Sequence, residues 1–573
     1  MEKRWSIKPE SDDEIISHLS EVLNINTVLA KLLAQRGVSS YDEAKAFFRP
    51  KLTDLHNPFL MKDMDKAVNR IVKAFKNKEK ILIYGDYDVD GTTSVALAFS
   101  FLSLHYSDLD YYIPNRYEEG YGISYKGIDY AEENGITLVI ALDCGIKAVE
   151  KMDYAREKGI DFIICDHHTP GDELPVAAAC LDPKRHDCTY PEKNLSGCGV
   201  GFKLMQGFCR FNDYKESELY ELIDLVAVSI ASDIVPITGE NRILAYYGLE
   251  KLNNNPGIGL KSIIKIAGME GRGITISDIV FKIGPRINAA GRIDAGSDAV
   301  DLLVSRDHSN AGVMSKDIDE CNETRKDLDR GITIEAHDLI ANDAEMIKKK
   351  STVLYDKDWH KGVIGIVASR LTESFYRPTV ILTESKGLAT GSARSVEGFD
   401  LYKAIESCSD LLENFGGHMY AAGLTLKIEN IPAFKKRFEQ YVEDNILPDQ
   451  LIPQIDVDSK LHLKDINPKF YRILKQFHPF GPGNMKPVFV SDRVFDYGTS
   501  KTVGKDRDHL KLEIIEEHSA AIKQGIAFSM GHALDSIKSN EPFDICYTVE
   551  ENFYNGVTTL QVMVKDLKFP YAE

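Results

Sequence analysis

The chain has 573 residues, 43% of them hydrophobic, enough for several domains with sizeable cores. No apolar run approaches membrane-span length and the opening MEKRWSIKPE lacks the apolar centre of a secretion signal, so a soluble, cytoplasmic protein without membrane contact is expected. A formal charge of −19 and a pI near 5.4 exclude a uniformly basic surface that coats nucleic acid, and nine scattered cysteines without a CxxC pair indicate neither a zinc site nor a disulfide framework.

Along the chain, residues 1–60 read as an N-terminal helical segment. The first motif that carries chemistry is ILIYGDYDVDGTTS, residues 81–94. Its apolar run predicts a buried parallel strand, followed by Asp86, Asp88 and Asp90, with Gly91 turning the chain into a helix near Thr92. Carboxylates this crowded repel and raise one another's pKa, so divalent cations held by oxygen ligands explain them; the alternative is a solvated acidic loop. TLVIALDCG (137–145) stops likewise at Asp143, and DFIICDHHTP (161–170) at Asp166, His167 and His168, with the helical AVEKMDYAREKG between them. Such alternation of strand and helix predicts one parallel sheet whose acidic ends share an edge and converge on one crevice. ELIDLVAVSIASDIVPITGENR (221–242) predicts a long apolar helix that runs into Ser232 and Asp233 and is ended by Pro236. Asp233 is there either a helix-end residue bonded to backbone or a further metal ligand.

Pattern changes set the remaining boundaries. A catalytic α/β domain spans 61–304, and over 305–350 Ile318, Cys321, Leu328 and Ile332 recur at three-and-four spacing, which predicts a long connecting helix. A second α/β unit begins at TVLYD and covers 351–450. Alternating stretches such as HLKLEII and TTLQVMVKDL in 451–573 fit many β-domains, among them a small β-barrel of the oligonucleotide-binding (OB) kind. Within it, residues 471–511 contain Arg472, Lys475, Lys486, Arg493, Lys501, Lys505, Arg507 and Lys511 against Asp492, Asp496, Asp506 and Asp508, a basic region in an acidic chain.

DYDVDG, LDCG, CDHH and ASDIVP, in this order and at these spacings, resemble the four motifs of the DHH phosphoesterase superfamily. PNRYEEGYG (114–122), GPRINAAGRI (284–293), GSARS (391–395), FGGHMYAAGLTL (415–426) and FGPGNMKPVF (480–489) extend the resemblance to the bacterial single-strand-specific DNA exonucleases of that superfamily. It covers the chain from about residue 25 to near the C-terminus. The resemblance implies a parallel-sheet DHH phosphoesterase domain, a DHH-associated α/β domain and an OB-like β-barrel. It also implies hydrolysis of single-stranded DNA from the 5′ end to 5′-mononucleotides, in DNA repair and recombination.

Two ions of manganese or magnesium are the implied cofactors, about 3.5 to 4 Å apart where such ions act as a pair. By the same likeness Asp88, Asp90, Asp143, His167 and Asp233 are the direct ligands, while Asp86, Asp166 and His168 are ligands, orienting groups or proton donors. His418, in the GGH of the second domain, would reach across the cleft to the scissile phosphate, unless it is a helix-loop histidine among flexible glycines. Phosphate recognition falls to Arg116 and to Ser392 and Arg394, and DNA-backbone contact to Arg286, Asn288 and Arg292, each arginine having surface placement as its alternative. Tyr117, Tyr121, Tyr125 and Phe480 are stacking platforms or core aromatics. The expected partners are single-stranded DNA and, on the protein side, a single-strand-binding protein or a helicase, with the enzyme a monomer. A DHH phosphodiesterase acting on short RNA, cyclic dinucleotides or pyrophosphate shares the metal residues but has no need of the C-terminal barrel. A non-catalytic DNA-binding scaffold of the same fold would be expected to lack metal ligands that this chain retains.

Overall fold

In the computed structural model, which describes residues 2–9, 11–293, 295–554 and 556–570, the chain starts as a short strand, β1 (Arg4–Ile7). Helices Asp13–Leu23, Thr27–Ala34 and Tyr41–Phe48 follow. Each begins on a short polar side chain that bonds a free backbone N–H of the first turn: Asp12, Asn26, and Ser40 paired with Glu43 in a reciprocal cap. The N-terminal segment is therefore not wholly helical, because β1 pairs in parallel with a strand far along the chain.

The catalytic sheet consists of β2 (Lys80–Gly85), β3 (Leu109–Tyr112), β4 (Ile136–Leu142), β5 (Asp161–Cys165) and β6 (Ala179–Leu181), all parallel, in the order β3-β2-β4-β5-β6. Helices cover both faces, so the strands are apolar on both. Ile81, Ile83, Leu138, Ile140 and Ile163 point into one core, and Leu82, Val139, Phe162 and Ile164 into the other. The chain steps from β2 outward to β3 and returns to the other side as β4. The switch point of the sheet thus lies between the carboxyl ends of β2 and β4, where open α/β sheets bind their ligands.

Helix His308–Ala341 is 34 residues long, roughly 50 Å. Ala311 and Ile318 pack on the catalytic core, whereas Ile332, Ala336 and Ile340 pack on the second domain. The second sheet comprises β7 (Thr352–Tyr355), β8 (Thr379–Ser385), β9 (Leu388–Arg394), β10 (Leu412–His418) and β11 (Ala421–Leu426), in the order β10-β11-β9-β8-β7. Only β7 and β8 run parallel in it.

The C-terminal part begins with β12 (Gln454–Val457), the partner of β1, and continues as β13 (Ser459–Lys460), β14 (Phe489–Asp496), β15 (Lys501–Val503), β16 (His509–Glu516), β17 (Lys523–Ala527), β18 (Phe543–Tyr554) and β19 (Val557–Lys568). Their order is β13-β14-β18-β19-β17-β16-β15, and β14 pairs also with β16, an OB-like sheet bent round on itself. Its core does not close alone: Ile16, Leu19, Leu29 and Leu33 of the N-terminal helices pack with Leu463, Phe470, Phe489 and Leu512. Among the described residues no helix is long and apolar enough to cross a membrane.

Candidate metal centre and phosphate pocket

Four strand ends of the catalytic sheet present carboxylates at one edge. Asp86 follows β2, Asp143 follows β4, Asp166 follows β5, and Asp182, which the sequence reading missed, follows β6. The helix after β2 starts at Val89, three residues before the expected Thr92, because Asp88 is its cap and accepts from Gly91 N–H at 3.0 Å. Asp90 is therefore a first-turn helical residue and not part of the strand end.

Asp90 is fixed from three sides. Gly197 and Cys198 donate backbone N–H groups to it at 2.7 and 2.8 Å, and the Ser229 hydroxyl donates at 2.7 Å. Gly197 is required there, since a Cβ would come within 2.5 Å of Asp143 Oδ1. Asp166 is engaged in the same way, accepting from Ile146, His167 and His168 N–H and from His168 Nδ1 at 2.7 to 3.1 Å. It therefore orients the histidines through Oδ1, while Oδ2 accepts the Ile146 N–H alone. The other ring nitrogen of His168 meets the Tyr121 hydroxyl at 3.1 Å.

His167 is the hub. Its Nε2 lies 3.2 Å from Asp143, 3.6 Å from Asp233 and 3.7 Å from Asp90. Two groups of three have ligand atoms within 4.8 Å of one another, Asp143, His167, His168 and Asp90, His167, Asp233, sharing that histidine. Asp143 Oδ1, Asp86 Oδ2 and both nitrogens of His167 are buried with no hydrogen bond. Buried polar atoms ordinarily find partners. Oxygen and imidazole donors left open in this way fit manganese or magnesium, the more so as the nearby thiols Cys144, Cys165 and Cys198 are buried and pushed up by that burial.

Electrostatics agree. Burial, then the charge of Asp90, raises Asp143 well above the usual carboxylate range and pushes Asp233 up to about 8. Burial and then Asp88 do the same to Asp86. Asp166 is the exception: burial would raise it, but the hydrogen bond and charge of His168 bring it down to about 2, and His168 is raised in return. A cation would relieve the crowded set. Two backbone positions there are left-handed, Asp143 at φ 61° and the β-branched Ile234 at φ 60°, a conformation that costs energy and concentrates at functional sites.

Beside the carboxylate cluster, with Tyr87 in its wall, a cavity of about 450 Å3 lies between the two α/β domains, lined by Arg116, Arg292, Lys361, Ser392 and Arg394. Arg116 lies over the Tyr87 ring at 4.6 Å, and Arg394 donates to Ser392 Oγ at 2.9 Å. Arg292 crosses between domains to Gly362 O at 2.8 Å. The expected Arg116, Ser392 and Arg394 thus meet, joined by Arg292. Lys361 and Tyr87 were missed; the KG turn in DWHKGVIG was the available signal for Lys361. His418, exposed at the end of β10, lines a second cavity with His168 and Tyr121 on the opposite wall.

Other expected contacts lie elsewhere. Arg286 is turned to the connecting helix, where it binds Asp319 at 2.8 Å, and half-buried Asn288 does not line the pocket. Tyr117 stays in the pocket wall, where its hydroxyl bonds Arg292 O, whereas Tyr125 packs edge-on to Tyr154 and Phe480 tilts against His478 in the C-terminal part. Of the eight basic residues expected over 471–511, Lys475, Lys486 and Arg493 pair with Glu551, Glu550 and Glu517 from outside that stretch.

Comparison with known proteins accords with this geometry. Residues 80–230 match the DHH family N-terminal domain, 348–444 the DHHA1 domain and 457–566 the RecJ OB domain. The chain is 37% identical over 567 residues to the single-stranded-DNA-specific exonuclease RecJ of Bacillus subtilis, covering 98% of this chain and 70% of that protein. It is 33% identical over 563 residues to the Escherichia coli protein of that name, covering 94% and 95%. The crystal structure of RecJ in complex with Mn2+ from Thermus thermophilus superposes with a TM-score of 0.84 at 26% identity, covering 99% of this chain and 80% of that one.

Proposed function

Since the chain belongs to the RecJ family of single-stranded-DNA-specific exonucleases, we propose that the crevice at the β2 and β4 ends removes nucleotides one at a time from the 5′ end of single-stranded DNA, in DNA repair and recombination. The protein is a metal-dependent exonuclease of the DHH family. What carries the directional reading is the position of the arginine-lined cavity beside the two ligand groups that share His167.

Asp90, Asp143, His167, His168 and Asp233 would together hold the two ions, His167 Nε2 serving one of them, with Asp88 and Asp86 completing the set. Bound manganese or magnesium supplies the acidity that turns water into a nucleophile at neutral pH and offsets charge growing on the phosphate. The chain does the rest. Asp166 holds the two histidines in register, and its pairing with His168 keeps a proton at that imidazole. His418 would reach across the cleft from the second domain, where it lines one cavity with His168 and Tyr121. Arg116 from one domain and Ser392 with Arg394 from the other grip a terminal 5′-phosphate, which sets the scissile bond one nucleotide in.

Catalysis thus belongs to 61–304, end capture to 351–450 across the connecting helix, and strand holding to 451–573. We read the protein as a cytoplasmic monomer that receives strands from a helicase or a single-strand-binding protein.

Initial rates on strands with a 5′-phosphate, a 5′-hydroxyl or a 3′ block test the reading. Arg394→Ala and Arg116→Ala should cost the phosphorylated end at least tenfold more than the hydroxyl end, since hydrogen bonds to charged groups are worth about 1.5–3 kcal/mol. Equal losses on both ends, or inhibition by the 3′ block, would overturn it.

A further inference from the structure

The cavity assigned to a 5′-phosphate holds more positive charge than one phosphate balances. Arg116, Arg292, Lys361 and Arg394 line it, and no carboxylate is among the described residues that do. A terminal phosphate carries about two negative charges at neutral pH. Asp86 and Asp88, outside the lining, act on Arg116, which leaves Arg292, Lys361 and Arg394 with more positive charge than one phosphate balances.

The surplus lies on a wall of its own. Arg292 bonds Gly362 O where the two domains touch, and Lys361 is the preceding residue. Ile364, Gly365 and Ile366, the first turn of helix Ile364–Phe375, line the same wall, and that helix has no side-chain cap. Ile366 N–H bonds Val363 O at 2.8 Å, which leaves the N–H groups of Ile364 and Gly365 at the helix start to face an anion. Gly365 lets this turn approach the phosphate grip closely, since a Cβ there would meet Ser392 Oγ at 3.0 Å and Arg394 at 3.2 Å. Burial, then the charges of Arg116 and Arg325, pushes Arg292 down to about 10, and burial lowers Lys361 and Arg394 too. The cations strain against one another and against their desolvation, and added negative charge offsets both.

We propose that this cavity accepts a 5′-polyphosphorylated strand end, with the first phosphate on Arg116, Ser392 and Arg394 and the outer phosphates on Lys361, Arg292 and the uncapped helix turn. The inference rests on the reading of the cavity as a 5′-phosphate site. In the reaction water attacks the phosphorus of the first internucleotide linkage. Its bond to the 3′-oxygen of the terminal nucleotide breaks, and that oxygen takes up a proton. From a triphosphorylated end the products are a nucleoside 5′-triphosphate with a free 3′-hydroxyl and a shortened strand bearing a 5′-phosphate.

The test compares DNA oligonucleotides of one sequence bearing a 5′-hydroxyl, a 5′-monophosphate or a 5′-triphosphate, on the full chain at constant free manganese. KM for the triphosphate should lie at least tenfold below that for the monophosphate, the worth of one added charge-assisted hydrogen bond, and the first product should be a nucleoside triphosphate. Lys361→Ala and Lys361→Gln should both bring the triphosphate-to-monophosphate ratio toward one. A triphosphate bound no better than the monophosphate, while the monophosphate still outperforms the hydroxyl, overturns this inference and leaves the 5′-phosphate site standing. So does a ratio that neither Lys361 variant changes. Equal rates on hydroxyl and monophosphate ends overturn both readings.

Discussion

His167 Nε2 stands 3.2 Å from Asp143 Oδ1, and neither buried atom has a hydrogen bond. Two lone-pair donors face each other, an arrangement that a shared cation or proton makes favourable. Asp143 has φ 61°, which asparagine tolerates far better than alanine, so Asp143→Asn separates loss of charge from backbone strain. Asp143→Asn and Asp233→Ala should each lower turnover by at least about a thousandfold, because the ions supply both nucleophile and charge stabilisation. The metal-free melting temperature should hold or rise, since each variant removes a crowded carboxylate. Manganese should raise the melting temperature of wild type and not of the variants; near-normal turnover in either would sink the metal assignment.

His418 shares a cavity with His168 but comes from the other domain. His418→Ala should lower kcat by about 10²–10⁴, the range for a positioned acid or base, while the manganese-dependent rise in melting temperature persists. Loss of that rise would instead make His418 part of the metal-binding set.

Lys501 and Lys511 are directly opposed across β15 and β16, both exposed. Like charges so placed repel, and a polyanion laid over them offsets the repulsion. Lys501→Ala with Lys511→Ala should weaken single-stranded DNA binding and reduce its salt slope by roughly two, about one for each phosphate no longer neutralised. An unchanged slope would show that the strand runs elsewhere.

Burial, then Lys486, Lys475 and Arg242, lowers His478 to about 4. In the unfolded chain a histidine titrates near 6.5. Between those values the unfolded state binds the extra proton, so stability rises with pH and is lost as pH falls from about 6.5 toward 4. The melting temperature should drop over that window, and His478→Gln should flatten the drop. A variant as acid-sensitive as wild type would place the titrating group elsewhere.

The sequence made the catalytic sheet and the carboxylates and histidines at its edge readable because buried parallel strands leave unbroken apolar runs, and the runs of β2, β4 and β5 each end on a charged residue. Asp182 escaped notice because β6 has only three residues, too few for a run to register. Arg286 was misplaced for a related reason: a helical arginine in a Gly-rich segment gives no indication of which neighbour it faces, and its partner Asp319 lies 33 positions away on another helix. The gathering of Arg292 and Lys361 beside Arg394 could not be read from spacing, since it depends on how the second domain docks. The surplus basic charge over 471–511 was real as a count, but glutamates beyond that stretch neutralise part of it.

The shared core of Ile16, Leu19 and Leu29 with Phe470, Phe489 and Leu512 bears on how the chain is made. The first helices leave the ribosome more than 400 residues ahead of the strands that cover them, a delay of roughly 20 to 80 s at about 5–20 residues per second. During that time their apolar faces have no native partner. Chaperone occupancy of nascent chains should therefore begin at the N-terminus and end only when the last hairpin emerges. Any shortened version that discards the OB-like part must discard the first helices with it.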